Sequence, residues 1–226
     1  MILVKGTRYV MGNPDRTAPA NERPPRAVSV QSFWIDKTEV SVGDYRACVD
    51  AQSCVRPQTG SPACTFDQGD PLLPVNCVRW VDATQYCRHM QKRLPKEVEW
   101  ELAAKGPQGA RYAGGGGCMG AVTLLSDTTH RSCSGNRPGR VGARPGSASY
   151  YGVQDLSGNL EEWVQDFYTD TLTDAALPRT GAAYVLRGGG WLQGPSAART
   201  TARNWGSAIE AGANVGFRCA RDDSPK

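Results

Sequence analysis

An α+β domain, loop-rich and braced by disulfides, is the fold class this sequence predicts, and three features of its composition point there. The 226 residues include 26 glycines and 15 prolines. These are scattered rather than gathered into one linker, so turns recur along the chain, unlike a helical bundle or a doubly wound sheet. Eight cysteines, Cys48, Cys54, Cys64, Cys77, Cys87, Cys118, Cys133 and Cys219, are even in number and lack a paired CxxC spacing. That pattern favours disulfides over zinc and an oxidising location, periplasmic, secreted or at the cell surface. A hydrophobic content of 39% with a mean hydropathy of -0.47 suits one globular unit over residues 1–226. No run reaches the ~20 apolar residues of a membrane helix. The apolar stretch within Met1–Val10 is too short for a signal peptide, so any targeting segment is expected to have been removed or to lie upstream.

The elements follow in order. Met1–Val10 and Ala27–Ile35 cluster β-branched and aromatic residues between Gly, Pro and Asn, which predicts short strands. Ser41 with Asp44 three residues on resembles a capping box, and Val42, Tyr45 and Val49 share a helical face with Cys48 beside it. Gln52–Leu73 is polar and rich in Pro and Gly, a loop that a bridge through Cys54 and Cys64 would pin. Ala83, Tyr86, Cys87 and Met90 repeat at helical spacing within Val81–Gln91, so Cys87 is expected to face the core. A third helix is predicted to begin at Pro95 and to stop at Lys105-Gly106, where a basic residue and a glycine satisfy the last carbonyls. Residues 107–150 read mostly as loop.

The net charge of +4, from 26 basic and 22 acidic residues, is too balanced to imply nucleic acid as a partner. Between Asp127 and Asp155 there is no acid, while His130, Arg131, Arg137, Arg140 and Arg144 fall there. This stretch is a solvated basic loop or an anion-binding one. Gly115, Gly117 and Gly120 spell GxGxxG, but no convincing strand precedes them and no acid follows about 20 residues on, so nucleotide binding is not expected. His89 and His130 have no ligand spacing around them. Asp155–Trp163 (DLSGNLEEW) is more specific, because it packs carboxylates, turn residues and exposed carbonyls together. It reads as a turn before a strand or helix, or as an oxygen-rich calcium loop.

Four segments in order, Lys92–Glu101 (KRLPKEVEWE), Gly152–Trp163 (GVQDLSGNLEEW), Leu186–Trp191 (LRGGGW) and Val215–Cys219 (VGFRC), closely resemble the sulfatase-modifying factor, or formylglycine-generating enzyme, family. Phe33–Val40 (FWIDKTEV) and Pro74–Trp80 (PVNCVRW) fit it as well, so the resemblance spans nearly the whole chain. It implies that family's variant of the C-type-lectin-like fold, with few helices and short twisted strands. It also implies Ca2+, held by the Asp155 and Glu162 side chains and the Gly158 and Leu160 carbonyls. Cys87 and Cys219 match positions that family members join. Closing that loop of roughly 130 residues could contribute on the order of 4 to 5 kcal/mol in the chain-entropy model. Cys118 with Cys133 would then close a local loop, and proximity and elimination suggest Cys54 with Cys64 and Cys48 with Cys77.

Formylglycine-generating enzymes oxidise a substrate cysteine at two copper-binding cysteines, five residues apart, upstream of the GFRC strand. Anchored on Cys219, Arg199 and Arg203, those positions fall at Pro195 and Thr200, and no cysteine lies between Cys133 and Cys219. Neither residue supplies the soft thiolate that Cu(I) prefers. Relatives that use non-haem iron need an extra helical domain with three histidines, and this chain holds two. The expectation is therefore a non-catalytic, calcium-binding module for an unidentified protein or small-molecule ligand, without nucleic acid or a membrane span. Such domains occur in bacterial extracytoplasmic sensors, kinases and lipoproteins. Its binding surface would use Trp191, Arg199, Arg203, Asn204 and Trp205, which offer aromatic faces and forked donors. The alternatives are an oxidoreductase acting on a protein cysteine or another substrate, and a purely structural domain.

Overall fold

The computed structural model describes residues 1–58, 60–116, 137–172 and 183–223. In chain order its elements are β1 (Ile2–Val4), β2 (Thr7–Met11), β3 (Arg26–Val30), β4 (Phe33–Ile35), α1 (Val42–Asp50), α2 (Trp80–His89), α3 (Glu97–Lys105), β5 (Glu161–Phe167), β6 (Ala183–Arg187), β7 (Arg203–Ser207), β8 (Val215–Phe217) and β9 (Ala220–Asp222). Short 3-10 turns and loop connect them.

Strand β4 pairs antiparallel with β1 on one edge and with β9 on the other, so the two ends of the chain close into one three-stranded sheet. Strands β2 and β3 form a separate antiparallel pair. The largest sheet has the order β7-β6-β5-β8, antiparallel except where β8 lies parallel to β5. Two adjoining apolar clusters fill the interior. One surrounds Trp100 with Val4, Met11, Phe33, Ile35, Leu102 and Val164. The other surrounds Tyr45, which stacks on Tyr86 at 5.3 Å between ring centres and meets the edge of Phe217 at 6.2 Å.

The three helices arise from different local causes. Ser41 caps α1: its Oγ accepts the Asp44 N–H at 3.1 Å and donates to the Asp44 carboxylate at 2.7 Å, and Val42, Tyr45 and Cys48 are buried. Helix α2 buries Ala83, Tyr86 and Cys87. Met90, expected on the same stripe, lies past the last helical residue and is 44% exposed. Helix α3 starts at Glu97 rather than Pro95, because the Glu99 carboxylate accepts the Lys96 N–H at 2.8 Å and fixes Lys96 as the residue before the first turn. It ends where Gly106, at φ +64°, donates its N–H to the Leu102 carbonyl at 2.9 Å. Its charged residues are buried with partners. Lys105 Nζ donates to the carbonyls of Val10 and Gly12, and Arg93 grips both oxygens of Glu99 at 2.7 Å.

A disulfide joins Cys87 to Cys219 and ties α2 to the residue after β8. The nearer pairings correct the expected ones: Cys48 bonds Cys54 and Cys64 bonds Cys77, not Cys54 with Cys64 and Cys48 with Cys77. After α1 the chain reverses at Gln52, at φ +57°, and the Cys54 N–H returns to the Cys48 carbonyl at 3.2 Å. Asn76 makes the second pair. Its side chain accepts the Thr65 N–H at 2.7 Å and donates to the Ala63 carbonyl at 2.9 Å, which lays Cys64 against Cys77. Cys118 and Cys133 lie outside the described residues, as do Gly117, Gly120, His130 and Arg131. Gly115 belongs to a 3-10 turn, Ala113–Gly116, and His89 is an exposed residue at the end of α2. Among the described residues no helix is long and apolar enough to cross a membrane. The three disulfides among the described residues point away from a reducing cytoplasm.

Candidate functional site

Three places gather the residues that the sequence singles out. The first is the loop entering β5. Glu162 is fully buried and holds Arg218 through both oxygens, each at 2.7 Å, while Trp100 Nε1 donates to it at 2.9 Å. Glu39, also buried, accepts the Leu160 N–H at 3.0 Å and the Asn159 side-chain amide at 2.5 Å. Asp155 accepts the Gly142 N–H at 2.7 Å. Burial raises the Glu39 carboxyl well above its ordinary range, reinforced by Asp155 and Glu162, and burial raises Asp155 too. Asp155 and Gly158 border a small pocket shared with Arg140 and Arg144. Arg140 is paired with Asp70 at 2.7 Å, so this part of the basic stretch is a braced loop.

The donor chemistry here is all oxygen, and three carboxylates face one guanidinium, a surplus of negative charge that suits a hard cation such as calcium. Among the described residues no three His, Cys, Asp or Glu side chains converge as a metal-holding group. The expected set therefore consists of two carboxylates and two carbonyls, with Glu162 shared with Arg218.

The second place is the segment from Pro195 to Arg203, which buried arginines clamp. Arg187 is fully buried, pairs with Glu101 at 2.6 Å and donates to the carbonyls of Thr200, Thr201 and Ala202 at 2.8 to 3.1 Å. Pro195 opens a 3-10 turn, and the buried Thr200 donates its hydroxyl to the Ala110 carbonyl at 2.6 Å. Arg199 forks onto Glu22 at 2.6 and 2.7 Å. It borders a cavity of about 360 Å3 with Asn13, Asp15, Lys105, Arg111 and Thr200.

The third place is a cleft of about 580 Å3 between β7 and the loop at 209–212. Trp205 and Ile209 stand in it 55% and 70% exposed, and Trp163, Asn204 and Glu161 are on its wall. The Glu161 carboxylate accepts the Asn204 side-chain amide at 3.0 Å and that of Asn214 at 3.3 Å, and burial raises it above the ordinary carboxylate range. Gly206 permits the wall to close, because a Cβ there would meet the Trp163 ring at 2.6 Å.

The five expected binding residues thus do not form one surface. Asn204 and Trp205 share the third cleft, and Arg199 borders the second cavity. Trp191 is buried and donates its indole N–H to the Ala213 carbonyl at 3.0 Å. Arg203 is buried in a fork on Glu97 and reaches the carbonyls of Asn21 and Thr169. The sequence reading missed Glu161 as a cleft residue. Strand alternation was the available signal, since it puts Glu161 and Trp163 on the face opposite Glu162.

The family described as the sulfatase-modifying factor enzyme 1-like domain matches residues 1–223, and the chain belongs to that family. It is 37% identical to a formylglycine-generating enzyme of Streptomyces coelicolor over 173 residues, covering 68% of this chain and 54% of that protein. It is 30% identical to the serine/threonine-protein kinase Pkn1 of Chlamydia trachomatis over 247 residues, covering 98% of this chain but 38% of the kinase. An inactive C-alpha-formylglycine-generating enzyme 2 of Mus musculus is 29% identical over 269 residues, covering 97% and 85%. The chain therefore spans about half, or less, of the first two relatives. Among solved structures, PvdO from Pseudomonas aeruginosa superposes with a TM-score of 0.80 at 23% identity, covering 97% of this chain and 93% of that one. Treponema denticola variable protein 1 gives 0.76 at 21%, covering 98% and 94%. These likenesses show the fold, the family's variant of the C-type-lectin-like architecture.

Proposed function

We propose that this chain is a non-catalytic recognition module on the formylglycine-generating-enzyme scaffold, part of a bacterial extracytoplasmic sensor, kinase or lipoprotein. The observation that carries this reading is the segment from Pro195 to Arg203. It contains no sulfur, and Thr200, Arg199 and Arg203 are each committed to hydrogen bonds or ion pairs that hold the fold. The kinase relative supports a place within a longer protein, and the inactive mouse relative supports a scaffold kept without turnover. The test is to incubate the chain, loaded with Cu(I) and calcium in air, with a Cys-X-Pro-X-Arg peptide beside an active control enzyme. An unchanged peptide thiol by mass spectrometry is expected; conversion to an aldehyde overturns the reading. The second reading, an oxidoreductase acting on a cysteine, is favoured by the 37% identity to the Streptomyces enzyme, and the same assay decides it.

Calcium is part of the proposal. Asp155 and Glu162, with the carbonyls of Gly158 and Leu160, would hold the ion, which would supply fixed positive charge to a cluster rich in carboxylates. At calcium about 100-fold above Kd, linkage adds about 2.7 kcal/mol to stability. The Tm is expected to be higher in calcium than in EDTA, and Asp155→Asn is expected to shrink the difference. Equal Tm in both solutions would remove calcium from the reading.

A further inference from the structure

Resting on the recognition reading, we infer that the cleft between β7 and the loop at 209–212 binds an organic cation, an ammonium or guanidinium group carried on an apolar body. Among the described residues two buried glutamates, Glu39 and Glu161, have no ion-paired arginine, and of the two it is Glu161 that lines this cleft. The buried glutamates Glu22, Glu97, Glu99, Glu101 and Glu162 each face an arginine: Arg199, Arg203, Arg93, Arg187 and Arg218 respectively. Glu161 is 4% exposed, and among the described residues its side-chain hydrogen-bond donors are the neutral amides of Asn204, Asn214 and Gln193. A buried carboxylate without a cation is costly. A carboxylate also has about four acceptor positions, so these amides leave capacity for a further donor.

The cleft supplies the rest of a cation site. Its lining contains Glu161 and Glu210 but neither lysine nor arginine, although basic residues outnumber acidic ones by 26 to 22 in the whole chain. The exposed indole of Trp205 offers a π face for the charge. Ile209, Leu186 and Val215 offer apolar contact to whatever carries it. A volume of about 580 Å3 lies within the range of roughly 300 to 1,000 Å3 usual for small-ligand sites. A free amine and a lysine or arginine side chain of a partner protein present the same chemistry here.

The experiment titrates the whole chain with hexylammonium chloride, 1-hexanol and sodium hexanoate, which share a body and differ in charge. It follows the Trp205 indole N–H resonance, assigned by its loss in Trp205→Phe. Hexylammonium is expected to bind saturably and at least tenfold more tightly than either other probe. Glu161→Gln is expected to abolish that preference, and Trp205→Ala, on the surface, is expected to weaken hexylammonium at least fivefold with an unchanged Tm. A parallel arm uses Ac-Gly-Arg-Gly amide and Ac-Gly-Lys-Gly amide. Tighter binding of a peptide assigns the site to a partner's side chain, and tighter binding of hexylammonium assigns it to a small amine. Hexanol binding as well as hexylammonium overturns the inference while leaving a recognition cleft of another chemistry. An unmoved Trp205 resonance with every probe overturns it along with the cleft. The peptide-thiol assay, independent of this titration, tests the recognition reading itself.

Discussion

Asp166, on β5, carries its charge against its surroundings. Its carboxylate accepts the Glu97 N–H at 2.6 Å, but burial first, and then Glu97 and Glu99, push its pKa up to about 6. A folded pKa above the unfolded value near 3.9 means that the folded state binds the proton more tightly. The stability from this group is therefore fully present below about pH 4 and is lost as pH rises through about 6. Asp166→Asn keeps an oxygen for the Glu97 N–H and removes the charge. It is expected to stabilise the protein by about 1 to 2 kcal/mol at pH 8 and by nothing at pH 4, read as Tm at the two values. Arg187 has the opposite sign. Its removal in Arg187→Ala leaves Glu101 buried without its cation and frees three carbonyls, at an expected cost of about 3 to 5 kcal/mol in chemical denaturation.

At the scale of the element, α3 shows how context overrides pattern. Its C-terminal end is legible, because Lys105 and Gly106 are boundary residues by chemistry, whereas its start falls at Glu97, two residues past the expected Pro95. Its environment is not legible. Glu97, Glu99, Glu101 and Lys105 would face water in an ordinary amphipathic helix, yet all are buried here: Glu97 and Glu101 pair with the distant Arg203 and Arg187, Glu99 with Arg93 just before the helix, and Lys105 reaches the distant carbonyls of Val10 and Gly12. Gly106→Ala tests the C-terminal stop. At φ +64° a side chain is strained, and the new Cβ would lie 2.9 Å from the Tyr150 Cβ. The expected loss is about 1 to 2 kcal/mol, measured by denaturant midpoint. Helices α1 and α2 were legible in their apolar spacing, whereas Met90 failed because one residue past a helix end no longer shares its face.

Across the whole molecule, the disulfides rank by the length of loop they close. Cys87 and Cys219 are 132 residues apart and Cys48 and Cys54 are 6. In the chain-entropy model these correspond to about 5 and about 2 kcal/mol. The Cys87→Ala/Cys219→Ala double variant should therefore lower the guanidinium midpoint more than Cys48→Ala/Cys54→Ala. Equal losses would place the stabilisation in native-state packing, since Cys87 and Cys219 are both buried in the second apolar cluster.

The α+β class, the family and the presence of helices near 42, 81 and 95 were legible in residue type and short-range order. The tertiary structure alone decided the rest. It pairs Cys48 with Cys54 and Cys64 with Cys77 through a chain reversal and an asparagine bridge. It divides the expected binding residues, burying Trp191 and Arg203 while leaving Trp205 in the open. It also gives an arginine to five buried glutamates and only amides to Glu161. The physical reason is common to all three. Burial and charge partnership are set largely by distant segments meeting in space, and even the two short disulfides depend on chain reversals and side-chain bridges that local residue pattern does not record.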